Sequence, residues 1–294
     1  MHRKRFALSY LADLTLRNEN MPELPEVETV AKALRQALIG KEVSALRSLG
    51  RMRYPFPLAK ARQALAGKSV TNIRRRAKYI VVDFDCDAVL LAHLGMTGFF
   101  HVEPASAPLE KHERLAIAFA DETELRFCDA RRFGFVSLSA LEPGAAWPVE
   151  LSHLGPEPLE KAFSPKAMLA RAAGRKAPIK AFIMDQPVVV GVGNIYASEA
   201  LFAARIDPRR PASSLSFSEW ATLVSEIKKV LRKALRRGGS TIRNYRTVDG
   251  SEGLFQRSLL VYGKASSPCP HCSTPISTTR LAGRSTFFCP QCQC

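Results

Sequence analysis

The chain has 294 residues, 46% of them hydrophobic, and carries a formal net charge of +16 with a pI near 9.8. That length allows one large domain or two to three smaller ones, and the apolar fraction supports a sizeable core. No stretch approaches the length of a transmembrane helix, so a soluble protein is expected. The charge points to a polyanionic partner, nucleic acid ahead of an acidic membrane surface.

Residues 1–20 open on a basic run, His2-Arg3-Lys4-Arg5, followed by a short apolar stretch broken by Asp13, Thr15 and Arg17. They lack the uninterrupted apolar core and small-residue cleavage site of a secretory signal. Met21 then precedes Pro22-Glu23-Leu24-Pro25-Glu26. Pro25 suits a first helical turn, and Val27, Val30, Ala31, Leu34 and Leu38 follow at helical spacing, so a helix start is the plain reading. A second reading is chemical. If Met21 is the start and is trimmed, Pro22 carries a free secondary amine, titrating near pH ~8 and nucleophilic at neutral pH. Attack on a sugar aldehyde carbon gives a permanently cationic iminium, an electron sink for elimination, with Glu23 in reach to move protons. Residues 1–20 are then expected to be upstream sequence read in frame, or an extension clipped before the protein works.

Short β-branched runs follow at Ser69–Arg74, Tyr79–Asp83, Val89–His93, Leu115–Phe119, Glu124–Phe127 and Phe135–Leu138, parted by Gly, Pro and Asp turns. They predict an antiparallel sandwich or barrel. Cys86 and Cys128 lie alone in apolar strand-like segments and read as core residues in a reducing compartment. His93-Leu94-Gly95-Met96-Thr97-Gly98 and Asp129-Ala130-Arg131-Arg132-Phe133-Gly134 each put bulky or charged side chains at a strand end beside glycine. An exposed Met and Phe with an Arg between them suit wedging into a base stack. Taken singly, Met96 and Phe133 read more simply as core residues.

Glu142-Pro143-Gly144 through Trp147-Pro148 reads as a linker, and the pattern then turns helical from about Ser164 to Arg237. Within it, Val190-Gly191-Val192-Gly193-Asn194-Ile195-Tyr196 sets a tight Gly-x-Gly turn directly onto a helix, whose backbone N–H groups can bind phosphate oxygens. The strongest helix is Phe217–Leu235, capped by Ser216 or Ser218 and ended at Gly238-Gly239. Basic residues recur at Arg74-Arg75-Arg76-Lys78, at Arg131-Arg132, and along Lys228, Lys229, Arg232, Lys233, Arg236, Arg237, Arg243 and Arg246. Any one cluster suits a solvated face; several together favour a wide basic groove.

The last region holds Cys269-x2-Cys272-x16-Cys289-x2-Cys292, two pairs on tight turns that can wrap one tetrahedral zinc in four thiolates. With all four positions filled, such a zinc is structural. Two disulfides are the alternative, disfavoured by a reducing context. Cys294 falls outside the pattern as a free tail thiol, and His271 is an unneeded ligand. Arg280 and Arg284, between the pairs, can reach phosphates or simply face solvent.

Together these motifs resemble the formamidopyrimidine-DNA glycosylase family, from Pro22 to Cys292. They are Pro-Glu-Leu-Pro-Glu at 22–26, Arg-Arg-Arg-Ala-Lys-Tyr at 74–79, His-Leu-Gly-Met at 93–96, Arg-Arg-Phe-Gly at 131–134, Val-Gly-Val-Gly-Asn-Ile-Tyr at 190–196 and the four-cysteine finger. The resemblance implies an α+β protein in three parts, with DNA in the cleft between them. After the extension at 1–20 come an N-terminal helix plus β-sandwich (21–150), a helix–two-turn–helix domain (151–258) and a zinc finger (259–294).

It further implies that Pro22 is the nucleophile, Glu23 the general acid and Glu26 a supporting carboxylate. Lys78 and His93 would hold phosphates near the lesion. Met96, Arg131 and Phe133 would fill the gap left by an extruded base, and Asn194 and Arg284 would grip the backbone. The implied activity is excision of oxidised purines (8-oxoguanine, formamidopyrimidines) from duplex DNA, followed by β,δ-elimination. The implied setting is a monomer at the nucleoid of a bacterial cytoplasm. Base chemistry in a duplex needs a flipped nucleotide, and flipping needs a wedge and phosphate clamps, in keeping with the residues. Two rivals stand. Endonuclease VIII, a sister enzyme for oxidised pyrimidines, typically lacks the Met/Arg/Phe trio. A non-catalytic zinc-finger DNA-binding protein would keep a blocked amino terminus. Gly238–Gln256, where the family carries its lesion-recognition loop, is less diagnostic, although Thr241 to Tyr245 suit backbone contacts to a base.

Overall fold

The structure is a computed structural model that describes residues 21–240 and 255–294, in two compact units. One holds residues 21–152 with 238–240, the other residues 153–237 with 255–294. The readings placed on residues 1–20, on Thr241 to Tyr245 and on Arg243 and Arg246 lie outside the described residues.

In the first unit, helix α1 (Leu24–Leu38) starts where the Pro25 ring suits the first turn and Glu26 adds an acid to it. Its periodic face, Val27, Val30, Ala31, Leu34 and Leu38, is fully buried. Eight strands follow: β1 (Val43–Ser48), β2 (Val70–Arg76), β3 (Tyr79–Phe84), β4 (Cys86–His93), β5 (Gly98–Pro104), β6 (Glu113–Phe119), β7 (Thr123–Asp129) and β8 (Phe135–Ala140), with a short helix α2 (Leu58–Leu65) after β1. They form two antiparallel four-stranded sheets, ordered β1-β6-β7-β5 and β2-β3-β4-β8. One core joins the α1 face to both sheets, through Ile73, Ile80 and Leu90 on one side and Leu115, Leu125 and Phe127 on the other. Of the two β architectures expected, the sandwich is the one seen.

Cys128 is buried as expected, at 1% exposure, but on the sheet face away from that apolar core, beside His101 and Glu113. Its strand alternates, so Leu125 and Phe127 face the core while Glu124, Arg126 and Cys128 take the other face. The first basic cluster is partly spent inside the fold. Arg74 makes a two-pronged bond to Asp83 at 2.6 and 2.7 Å and stacks on Trp147, and Arg75 pairs with Glu28 at 2.8 Å.

In the second unit, helices α3 (Pro165–Ala172), α4 (Ile179–Ile183), α5 (Asn194–Ala203) and α6 (Phe217–Arg236) precede a hairpin of β9 (Ser277–Leu281) and β10 (Arg284–Phe288). Ser216 caps α6 with a capping box to Glu219, which fixes the start the sequence leaves between two serines. Its apolar stripe, including Trp220, Leu223, Ile227 and Leu231, is buried, whereas Arg232, Lys233, Arg236 and Arg237 are exposed. The hairpin packs on α5 through a small core of Phe202, Val261, Cys269, Ile276 and Cys289. Among the described residues, no helix is long and apolar enough to cross a membrane.

Candidate functional site

The start of α1 gathers the first three candidate residues. Pro22 and Glu23 are buried, and Glu23 is the N-cap of α1. Glu26, one turn on, divides its carboxylate: Oε2 accepts the Glu23 backbone N–H at 2.9 Å, and Oε1 accepts the Ser240 N–H at 2.7 Å and its hydroxyl at 3.1 Å. The positive end of the helix dipole favours carboxylates here. Gly239 makes the approach possible: it takes φ +79°, and a Cβ there would sit 2.8 Å from Glu26 Oε1. A proline nitrogen released at this point would have two buried carboxyl groups within the next four residues.

Lys78 sits at the tip of the β2–β3 hairpin, in the two-residue loop between paired Arg76 and Tyr79. Tyr79 in turn pairs with His93 at the end of β4. His93 is only 2% exposed, wedged between the rings of Tyr79 and Phe135. Burial, then the positive charges of Lys78 and Arg53, push its imidazole down to about 3, so the ring is neutral. Nδ1 accepts the Gly95 N–H at 3.0 Å, which leaves the proton on Nε2. Any anion contact by His93 is therefore that of a neutral donor.

Met96, Arg131 and Phe133 fall on two loops that the structure ties together. Met96 and Phe133 are half-buried rather than core, Arg131 is exposed, and the Arg131 guanidinium lies over the Phe133 ring at 4.8 Å. The core reading of Met96 and Phe133 is thus set aside. Asp129, at the end of β7, organises both loops. Oδ1 accepts from Thr97 Oγ1 at 2.5 Å and Arg131 N at 3.2 Å, while Oδ2 accepts Gly134 N at 2.7 Å. Gly95 holds φ +62°, and a Cβ on it would meet Gly134 N at 2.4 Å, so only glycine lets the loops touch. Sequence reasoning passed over Asp129. The available signal was an Asp two residues before Arg131, the spacing of an Asx turn.

In the other unit, Asn194 is the first residue of α5, after a Gly-x-Gly turn as expected. It is buried; its Oδ1 accepts from Lys180 Nζ at 2.6 Å, and its Nδ2 has no partner among the described residues. Lys180, on α4, is 1% exposed and also donates to Ser285 O at 3.0 Å and Thr286 Oγ1 at 2.9 Å on β10. It locks the turn to the hairpin that Arg284 opens, yet nothing in its neighbourhood, Pro178-Ile179-Lys180-Ala181-Phe182, marked it. Glu199 on α5 adds a second tie, accepting the N–H groups of Leu260, Val261 and Tyr262 at 2.8 to 2.9 Å.

The four finger cysteines converge. Cys269 Sγ lies 3.9 Å from Cys292 Sγ, Cys272 Sγ 3.5 Å from Cys289 Sγ, and all four sulfurs fall within 4.8 Å of one another. A tetrahedral zinc with Zn–S of about 2.3 Å requires sulfur separations of about 3.8 Å, so the donor set fits one structural zinc. His271 stands apart, stacked on Phe202 with ring centroids 5.1 Å apart.

Known proteins match this chain along its length. The formamidopyrimidine-DNA glycosylase N-terminal domain matches residues 21–136, the H2TH domain of the same enzymes residues 154–246, and the zinc finger found in FPG and IleRS residues 266–293. Formamidopyrimidine-DNA glycosylases of Acidithiobacillus ferrooxidans and Vibrio cholerae are 43% and 42% identical over 274 residues, 93% of this chain and all of theirs. Among solved structures, MutM (FPG) of Thermus thermophilus superposes with a TM-score of 0.82 at 38% identity, covering 92% of this chain and 98% of its own. Lactococcus lactis Fpg, bound to DNA containing an N7-benzyl-Fapy-dG, gives 0.83 at 33% identity, covering 92% of this chain and 99% of its own. The chain belongs to the formamidopyrimidine-DNA glycosylase family.

Proposed function

We propose that this protein is a bifunctional DNA glycosylase and AP lyase that removes oxidised purines, 8-oxoguanine and formamidopyrimidines among them, from duplex DNA. The observation that carries this reading is the Glu23–Glu26 arrangement directly after Pro22 at the head of α1, in a chain whose family match begins at residue 21. The acting form begins at Pro22. Its nitrogen attacks C1′ of the damaged nucleotide, the oxidised base leaves with the bonding pair, and ring opening gives an iminium. Glu23 protonates the sugar oxygen as the ring opens. The iminium draws electrons as the 3′ phosphate and then the 5′ phosphate are eliminated. Glu26 acts by fixing the Glu23 main chain.

The remaining residues place the DNA. Lys78 pairs with a phosphate as a cation and His93 as a neutral N–H donor. Met96, Arg131 and Phe133 fill the space of the flipped nucleotide, with Arg131 facing the orphan cytosine. The unpartnered Asn194 Nδ2 and the Arg284 guanidinium bind backbone phosphates, and the zinc keeps the hairpin of Arg284 rigid. The charge of +16 suits such a partner. Complexes with lesion-containing DNA among the similar structures, one with carbocyclic 8-oxo-G at 34% identity and a TM-score of 0.85, support the substrate class. The protein acts as a monomer at the bacterial nucleoid.

Borohydride trapping on duplex DNA with 8-oxoguanine opposite cytosine tests this. A chain beginning at Pro22 is expected to give a covalent adduct, and the 294-residue chain with its amino terminus intact none. Binding without any adduct from the Pro22 form would overturn the proline mechanism and leave a DNA-binding protein.

A further inference from the structure

One buried cluster of metal-ligating side chains has no part in the chemistry above. It lies on three adjacent strands, β5, β7 and β6, on the face of their sheet that points away from the apolar core. Cys128 on β7 stands opposite Glu113 on β6, and His101 on β5 stands opposite Arg126 on β7. His101, Glu113 and Cys128 are 8%, 4% and 1% exposed. Cys128 Sγ is 3.5 Å from His101 Nε2, which is 3.5 Å from Glu113 Oε1. One ligand atom from each residue falls within 4.8 Å of the others.

We infer that His101, Glu113 and Cys128 form a second metal site, for one divalent ion of the zinc class, distinct from the four-cysteine finger.

Three observations support it. Glu113 Oε2 is buried and has no hydrogen-bond partner among the described residues, so the carboxylate that faces His101 through Oε1 keeps a second oxygen unspent. Such an orphan is costly unless something positive occupies its lone pairs. His101 is also oriented as a ligand. Its Nδ1 faces Glu103 Oε1 at 3.6 Å, and its Nε2 faces Cys128 and Glu113 at 3.5 Å each. The spacing fits as well: Zn–N near 2.0 Å and Zn–S near 2.3 Å place tetrahedral ligand atoms roughly 3.3 to 3.6 Å apart.

Arg126 pairs with both Glu124, Nε to Oε2 at 3.0 Å, and Glu113, Nη1 to Oε1 at 3.2 Å, while Arg47 also pairs with Glu124 at 2.6 Å. The two arginines match the two glutamates, so the charge of a divalent ion is met by a Cys128 thiolate and by Glu103, whose carboxylate lies 3.6 Å from His101. Binding exchanges the Cys128 thiol proton, released to solvent, for a metal–sulfur bond.

The test uses the full zinc-loaded chain. Native mass spectrometry after zinc incubation and desalting is expected to count two zinc ions, and Cys128→Ser one. Cobalt(II) added to protein holding only the finger zinc is expected to give a thiolate-to-cobalt absorption band. That band should fall at least tenfold in Cys128→Ser and in His101→Gln. One zinc in the unaltered chain, or a cobalt band of equal strength in both variants, overturns the site. The count on the unaltered chain decides even if a variant does not fold.

Discussion

Glu26 joins the head of α1 to Ser240, accepting the Ser240 backbone N–H at 2.7 Å on the carboxylate whose other oxygen holds the Glu23 N–H. One side chain thereby fixes both the residue proposed to donate the proton and the backbone at Gly239 and Ser240. Glu26→Ala orphans two buried N–H donors, at about 1–3 kcal/mol each. A loss of roughly 2–4 kcal/mol in urea unfolding is expected, with adduct yield in the borohydride assay down at least tenfold. Glu26→Gln keeps one acceptor and sets an NH2 against the other donor, so it should fall between. Unchanged adduct yield in Glu26→Ala would remove Glu26 from the chemistry.

Asp129 governs the loop that carries Arg131 and Phe133 through a carboxylate that is itself buried, at 1% exposure. Asp129→Asn replaces one acceptor oxygen by a donor facing either Gly134 N–H or Thr97 and Arg131. The wedge should loosen while the α1 chemistry stays intact. Excision of 8-oxoguanine, which needs flipping, is expected to slow about 10- to 100-fold, and strand cleavage at a preformed abasic site by much less. Equal losses on both substrates would mean that Asp129 supports the fold in general rather than the wedge.

The long elements were legible because one signal decided them. α1 and α6 each carry an unbroken 3.6-residue apolar stripe, and α6 has a capping box. Strands with β-branched runs, such as β3, were equally plain. β5 was missed because it starts at Gly98, ends at Pro104 and buries His101 on one face as well as Phe100 on the other, which erases the polar–apolar alternation. Cys128 is buried as its apolar segment predicts, but hydropathy alone does not tell which face of the sheet buries it. Candidate residues in contiguous motifs stand out, whereas Lys180 does not, since its acceptors Asn194, Ser285 and Thr286 lie 14 to 106 positions away.

Lys180 is a buried cation that acts as a joint between α4, the head of α5 and β10. Lys180→Met keeps the length and removes the charge, leaving Asn194 Oδ1, Ser285 O and Thr286 Oγ1 without their shared donor. A cost of about 3–5 kcal/mol is expected, the range for breaking a buried charged network. Asn194 and the Arg284 hairpin should lose their alignment, so affinity for undamaged duplex DNA should drop alongside affinity for damaged DNA. Melting temperature and binding anisotropy read the two effects. A destabilised protein with unchanged DNA affinity would separate Lys180 from the interface.

His93 predicts an acid limb in stability. Its folded ring titrates at about 3, against an ordinary 6.5, because burial and the neighbouring Lys78 and Arg53 disfavour the imidazolium. As pH falls through about 6.5 the unfolded chain takes up a proton that the folded chain refuses until near 3. The stability tied to the neutral ring is thus complete above about 6.5 and drains away toward 3, by up to ~1.4 kcal/mol per pH unit. His93→Gln keeps an acceptor for the Gly95 N–H but cannot titrate. It is expected to lose about 1–2 kcal/mol at pH 7.5 from the Tyr79–Phe135 stack, while its urea midpoint falls less steeply down to pH 4.5. Parallel slopes for the two proteins would assign that limb to some other group.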